Sequence, residues 1–138
     1  MLFSPNGRLN RVPYWIASFG LLLAALVLGF IAFVIHGRSV APSAAVGVIV
    51  LTTLVFSALI WIGFVMAIKR LHDRDKSGWW VLLFYVAPSI FEGIENSTGL
   101  FIPGLTGFGI SIWGLVELGF LRGTTGQNSY GPDPLQVR

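Results

Sequence analysis

The chain has 138 residues and no cysteine, which excludes disulfide bonds, thiolate metal sites and a cysteine nucleophile. Charge is also scarce, because only 11% of the residues are charged, whereas soluble domains average roughly 25%. Hydrophobic residues instead make up 54% of the sequence and include five tryptophans and eleven phenylalanines. The length suits one domain, and a domain of this size cannot bury so much apolar surface alone. The composition therefore predicts a protein that lipid covers in part.

Long uncharged runs predict where the chain crosses a membrane. Residues 13–35 and 44–68 carry no charge, and about 20 apolar residues suffice for one crossing. The first run is longer than the apolar core of a signal peptide, which has about 7–15 residues, so we interpret it as a retained helix. The second half is less regular, since Pro88 interrupts an apolar stretch and two glutamates follow it.

The predicted fold is an all-α integral membrane bundle of four transmembrane helices in a single domain over residues 1–138. The helices are expected over about 13–35, 44–69, 79–96 and 103–121, followed by a tail over 122–138. The last helix is expected to start near Pro103, because proline favours the first turn of a helix.

The basic residues predict how these helices are oriented. If the N-terminus is inside, the inner segments contain Arg8, Arg11, Lys69, Arg70, Arg74, Lys76, Arg122 and Arg138. The outer loops then contain only Arg38. This positive-inside asymmetry predicts that both termini are cytoplasmic. A re-entrant hairpin over residues 79–121 would also leave its ends inside, but its irregular backbone would have to be buried in protein.

Three polar stretches fall on the predicted inner face. The first contains Gly7, Arg8, Arg11, Tyr14 and Trp15. The second contains Arg70, Leu71, His72, Asp73, Ser77, Gly78, Trp79 and Trp80. The third contains Gly123, Gly126, Asn128, Tyr130, Gly131 and Pro132. In this order they closely resemble the signatures of a bacterial membrane-protein family named domain of unknown function 805, over almost the whole chain.

The resemblance implies a small inner-membrane protein of bacteria, and it implies no activity. The chain departs from the family pattern at one position of the second stretch. The family usually has a small residue there, often glycine, and this chain has Asp75.

The polar stretches predict a folded cytoplasmic surface. We expect Tyr130 and Asn128 to reach the loop of His72 and Asp73 and to close a clasp, with Ser77 capping the third helix. The candidate cytoplasmic interaction face comprises Arg8, Arg11, Arg70, His72, Asp73, Ser77, Trp79, Asn128 and Tyr130.

Two carboxylates near the inner face are expected to form ion pairs. Asp73 lies one helical turn after Lys69 and Arg70, so it can pair with either if the second helix extends that far. Glu117 lies about one turn from the inner end of the fourth helix and is close in sequence to Arg122. We expect Glu117 to pair with an arginine rather than to act in the membrane.

The neighbouring His72 and Asp73 raise the question of catalysis or metal binding. A metal site needs three or four ligands, and the other histidine, His36, lies on the opposite side of the predicted membrane. A triad of Ser77, His72 and Asp73 is disfavoured, because adjacent histidine and aspartate side chains seldom adopt the orienting geometry. The sequence predicts neither a metal nor a cofactor.

The sequence favours a non-catalytic accessory or scaffold protein whose cytoplasmic polar face binds a protein partner or anionic lipid headgroups. A second membrane protein or another copy of the chain is also a possible partner. A small oligomeric transporter or channel is an alternative, although the mid-membrane stretches offer only hydroxyl groups such as that of Ser57. A membrane enzyme that acts on lipid headgroups is a further alternative, with His72 and Asp73 as its acid–base pair. Nucleic acid is not predicted as a partner, because the basic cluster is small and tied to the bilayer.

Overall fold

The computed structural model describes residues 4–36 and 42–136, and it is built from helices. The α-helices are α1 (Arg11–His36), α2 (Pro42–Asp73), α3 (Trp80–Thr98) and α4 (Phe101–Leu115). A π-helical turn, Val116–Phe120, continues α4. Strand-like pairing among the described residues is limited to an isolated bridge between Asn128 and Gly131. The predicted all-α class with four helices is therefore confirmed.

Three helical segments are long and apolar enough to cross a membrane, and these are Arg11–Ile35, Ala44–Asp73 and Phe101–Phe120. Helix α3 is not among them, and its C-terminal half carries Glu92 and Glu95. Helix α2 continues beyond its expected end near residue 69, and its last turn contains the basic residues Arg70 and His72. The charged residues thus begin on a helix rather than in a loop.

Helices α3 and α4 form a hairpin with a very short turn. Gly99 ends α3 in the left-handed conformation, with φ of 70°, which glycine adopts without a steric penalty. The two helices then pack closely along glycines of α4. A Cβ atom on Gly107 would lie 3.1 Å from the carbonyl oxygen of Pro88, and one on Gly114 would lie 3.0 Å from Phe84. The absence of side chains at these positions allows the close approach.

The buried apolar residues cluster at one end of the bundle. They are Ala67 and Leu71 of α2, Val81 and Phe84 of α3, and Leu118 of the π turn. In the described part of the chain, the Cα atoms of α1 stay more than 8 Å from those of α3 and α4, although α1 approaches the π turn. The two halves of the chain are therefore held together at this end, and the same end positions the candidate site.

Candidate functional site

Three segments meet beside the buried cluster and form one unit, which we call the polar cap. The polar cap comprises residues 4–10, 69–79 and 121–136. Backbone hydrogen bonds join its parts, because the N–H of Leu9 donates to the carbonyl of Lys69 at 3.1 Å and the N–H of Thr124 donates to the carbonyl of Asp73 at 2.8 Å. The polar stretches singled out in the sequence thus fold together.

Arg8 is the central donor of the polar cap, and its side chain is 1% exposed. Its Nε donates to Oδ1 of Asp73 at 3.1 Å. Its two Nη groups donate to three backbone carbonyls of the tail, those of Thr124 (2.5 Å), Gly126 (2.6 Å) and Gly131 (3.2 Å). A guanidinium offers five N–H donors in one plane, so Arg8 can join the N-terminal segment, the loop and the tail at once.

Arg70 is buried completely, with a side chain that is 0% exposed. Its Nη1 donates to Oδ2 of Asp73 at 2.5 Å, its Nε donates to the carbonyl of Leu118 at 2.8 Å, and its Nη2 donates to the carbonyl of Leu121. These carbonyls lie at the end of the π turn, where a helix leaves its last carbonyls without partners and where its dipole is negative. Arg70 therefore caps the C-terminal end of the α4 region.

Asp73 is the shared acceptor of both arginines, and its side chain is 5% exposed. The predicted pair with Arg70 is confirmed, but the pair is buried rather than exposed and has Arg8 as a third member. Two guanidinium groups face one carboxylate, and carbonyl dipoles compensate the excess positive charge. The tail passes close above this group, because a Cβ atom on Gly123 would overlap the Asp73 carboxylate.

Glu117 forms a second buried ion cluster, and its side chain is 3% exposed. Its Oε1 lies 2.6 Å from Nε of Arg74 and 2.8 Å from Nζ of Lys76. The Lys76 ammonium also lies 4.9 Å from the centre of the Trp80 ring. The expectation that Glu117 pairs with an arginine is confirmed, and the partner is Arg74. Arg122, which is nearer in sequence, contributes its backbone carbonyl to Arg74 at 2.8 Å. The π turn places this carboxylate, and such turns are frequent at functional sites.

The predicted clasp between the tail and the loop is present. The side-chain amide of Asn128 donates to the carbonyl of His72 at 2.8 Å and to Oγ1 of Thr124 at 2.9 Å. The ring of Tyr130 stacks on the ring of His72, with centroids 3.8 Å apart and planes 6° from parallel. Nδ1 of His72 is buried and has no hydrogen-bond partner among the described residues.

Asp75 keeps the backbone conformation that a glycine would favour. Its φ is 56°, in the left-handed region that aspartate and asparagine tolerate better than most residues. Its Oδ1 accepts a hydrogen bond from the N–H of Ser129 at 3.1 Å. The departure from the family pattern therefore preserves the turn and adds a contact with the tail.

Three residues of the predicted interaction face lie outside the buried network. The prediction that Ser77 caps α3 is wrong, because the helix begins at Trp80 and no side chain caps its N-terminus. Ser77 Oγ instead accepts a hydrogen bond from the N–H of Trp79 at 3.4 Å and supports the preceding turn. Trp79 is 78% exposed, and Arg11 is exposed at the start of α1.

A cavity of about 380 Å³ lies between the start of α1 and the tail. Its walls include the exposed Arg11 and Arg122 together with the carboxylate of Asp133. That carboxylate accepts hydrogen bonds from the N–H groups of Leu135 (2.9 Å) and Gly126 (3.0 Å). Both bonds favour the charged form and hold the pKa of Asp133 below its ordinary value. The exposed cationic side chains that line the cavity are those of Arg11 and Arg122, and the carboxylates of Asp73 and Asp133 also lie in its lining.

Sequence reasoning missed the residues that join distant parts of the polar cap. It placed Arg8 on the candidate interaction face but did not predict its ion pair with Asp73. It also did not predict the ion pairs of Arg74 and Lys76 with Glu117. Glu117 itself carried a usable signal, because a carboxylate in an apolar helix needs a cationic partner. The identity of that partner depends on tertiary structure, since 43 residues separate Arg74 from Glu117.

The comparisons with known proteins agree with the sequence signatures. The model of the family described as "Protein of unknown function (DUF805)" matches residues 2–132. The chain is 31% identical over 145 residues to the uncharacterized protein YiiR of Escherichia coli K12, covering 99% of this chain and 90% of the relative. It is 28% identical to the inner membrane protein YhaH and 31% identical to the inner membrane protein YhaI of the same organism. These matches cover 94% of this chain and 85% and 84% of the two relatives. No solved structure matches the chain significantly.

Proposed function

Because the chain belongs to the DUF805 family of membrane proteins of unknown function, we propose that it is a non-catalytic accessory or scaffold protein of the bacterial inner membrane. In this proposal its four helices cross the bilayer, both termini are cytoplasmic, and the polar cap binds anionic lipid headgroups. The named inner membrane relatives support the location.

The helix lengths and charges support four crossings. Helix α3 has 19 residues, which at ~1.5 Å per residue make about 28 Å, close to the ~30 Å hydrocarbon core. The turn at Gly99 places Glu92 and Glu95 near the end opposite the polar cap. The polar cap collects most of the basic residues, as cytoplasmic segments do.

We expect cysteine labelling to report this topology directly, because the chain has no cysteine of its own. Ser4→Cys and Ser129→Cys should react with a membrane-impermeant maleimide only after the cells are opened. Ser97→Cys, near the turn between α3 and α4, should react in intact cells, as should Ser39→Cys in the segment between α1 and α2. Labelling of Ser39→Cys without Ser97→Cys would instead support the re-entrant hairpin.

The cavity beside α1 carries the lipid proposal. The side chains of the buried charged group already form hydrogen bonds with one another and with backbone carbonyls, so they are unavailable to a partner. This group comprises Arg8, Arg70 and Asp73. Arg11 and Arg122 are exposed, share one cavity and lie next to apolar side chains. Val12 and Leu135 line the same cavity, and each is 61% exposed. Paired cations beside exposed apolar groups fit an anionic headgroup at the membrane surface.

The occupied carboxylate of Asp73 supports a non-catalytic role for this site. Both of its oxygens accept hydrogen bonds from arginines, so neither oxygen is open to a substrate. His72 meanwhile stacks under Tyr130. The arrangement favours a structural use of both residues over acid–base chemistry.

Removing the two cavity arginines should weaken a preference for anionic lipid. We expect the wild-type chain, reconstituted in vesicles, to bind spin-labelled phosphatidylglycerol more strongly than spin-labelled phosphatidylcholine. Arg11→Gln with Arg122→Gln should lower that preference roughly fivefold per arginine, since each contributes about 1 kcal/mol. The control, Arg38→Gln with Arg138→Gln, removes the same charge elsewhere. Equal preferences in both double variants would contradict the proposal, and a stoichiometric protein recovered with the wild type would favour a protein partner instead.

A further inference from the structure

A second, apolar groove lies between α2 and α3 and has a volume of about 690 Å³. Its walls include Ile60, Phe64 and Ile68 of α2 and Val81 and Leu82 of α3. We call it the lateral groove. Its lining differs from that of the cavity beside α1, because its long walls are almost entirely apolar.

The polar cap closes one end of the lateral groove. His72, Ser77 and Tyr130 line that end. All three residues have polar side chains. The groove therefore combines a long apolar part with one polar end, which is the chemical pattern of an amphiphile.

The length of the lateral groove matches one lipid molecule. Its lining extends along α2 from Ser57 to His72, which corresponds to about 22 Å at ~1.5 Å per residue. Half of a bilayer, headgroups included, measures roughly 20–22 Å. If His72 lies at headgroup depth, Ser57 lies where the acyl chains end.

We propose that the lateral groove binds one phospholipid, with an acyl chain along Phe64 and Ile68 and its ester or phosphate oxygens at the His72 end. These oxygens are acceptors, and the hydroxyl groups of Ser77 and Tyr130, two residues that line this end, can donate to them. The site is separate from the arginine cavity and takes the lipid by its chain, so its occupancy does not depend on an anionic headgroup.

Filling the groove tests this site with a matched control. Ser57 and Ser89 are both exposed, and each hydroxyl donates to the backbone carbonyl four residues earlier in its own helix. The acceptor is Thr53 for Ser57 and Tyr85 for Ser89. Ser57 lines the groove. Ser89 belongs to α3, the helix that forms one wall of the groove, but it is not among the residues that line the groove. Ser57→Phe therefore adds bulk inside the groove, and Ser89→Phe adds the same bulk outside it.

The experiment uses the full chain reconstituted with dioleoylphosphatidylcholine, extracted in mild detergent and examined by native mass spectrometry. We expect one phosphatidylcholine to remain on the wild type and on Ser89→Phe, and its retention to fall at least fivefold in Ser57→Phe. His72→Phe, which keeps an aromatic ring beneath Tyr130, should also release the lipid more readily. Arg11→Gln with Arg122→Gln should retain it, which separates this site from the proposed headgroup site.

Three results would overturn the proposal. They are the absence of lipid from the wild type, equal retention of lipid by Ser57→Phe and Ser89→Phe, and a dimer without lipid. The last result would assign the groove to a second copy of the chain.

Discussion

Replacing Asp73 with asparagine should destabilise the folded chain by about 3–5 kcal/mol, because it leaves buried charges without a counter-charge. The side chains of Arg8 and Arg70 are 1% and 0% exposed, so water cannot solvate them after the change. Asparagine keeps the size of the side chain but replaces one acceptor oxygen with a donor that faces a guanidinium. The free energy of unfolding, from denaturation in mixed micelles with sodium dodecyl sulfate followed by tryptophan fluorescence, measures the loss.

Asp75→Asn is the matched control for this change. Asp75 is exposed, its backbone φ of 56° suits asparagine, and an asparagine Oδ1 can still accept the Ser129 N–H. We expect the control to alter the free energy of unfolding by less than about 0.5 kcal/mol. Similar unfolding of the two variants would mean that the buried ion cluster does not hold the polar cap together. Protease cleavage within the tail of Asp73→Asn alone would locate the damage there.

The helices and the clasp could be predicted because each depends on a local or strongly patterned signal. Uncharged runs marked α1 and α2, and the turn-rich motif around Asn128 and Tyr130 marked a tail that folds. The extension of α2 to Asp73 could not be predicted in the same way. The chain leaves the apolar run near residue 68, and the helix continues because its last turn packs into the polar cap.

The charge network was beyond sequence reasoning because burial is a tertiary property. From the sequence alone, Arg70 and Asp73 are predicted to form an exposed ion pair on one helix, three residues apart. Such a pair contributes little to stability. Only the folded chain brings Arg8 and the tail over this pair and excludes water from it. The same limit applies at Glu117, where the sequence predicted an arginine partner without identifying it, and the fold supplies Arg74 and Lys76.

Replacing Arg70 with lysine should cost about 2–4 kcal/mol although the charge is kept. The three nitrogens of the Arg70 guanidinium donate hydrogen bonds to the Asp73 carboxylate and to the carbonyls of Leu118 and Leu121. A lysine ammonium is a single point that cannot reproduce this planar fork, and the buried carbonyl of Leu118, left without a donor, costs roughly 1–3 kcal/mol. The variant therefore separates hydrogen-bond geometry from charge, which a neutral substitution cannot do.

Arg122→Lys provides the comparison for this last change, because Arg122 is exposed and a surface substitution of this kind shifts stability by at most about 0.5 kcal/mol. Amide hydrogen exchange should show where Arg70→Lys acts. We expect faster exchange over residues 116–124, the end of the helix that Arg70 caps, and unchanged exchange in α1. Equal stabilities of the two lysine variants would show that positive charge alone suffices at residue 70. The three-way hydrogen bonding of Arg70 would then be dispensable, and the attachment of α4 to the polar cap would not depend on it.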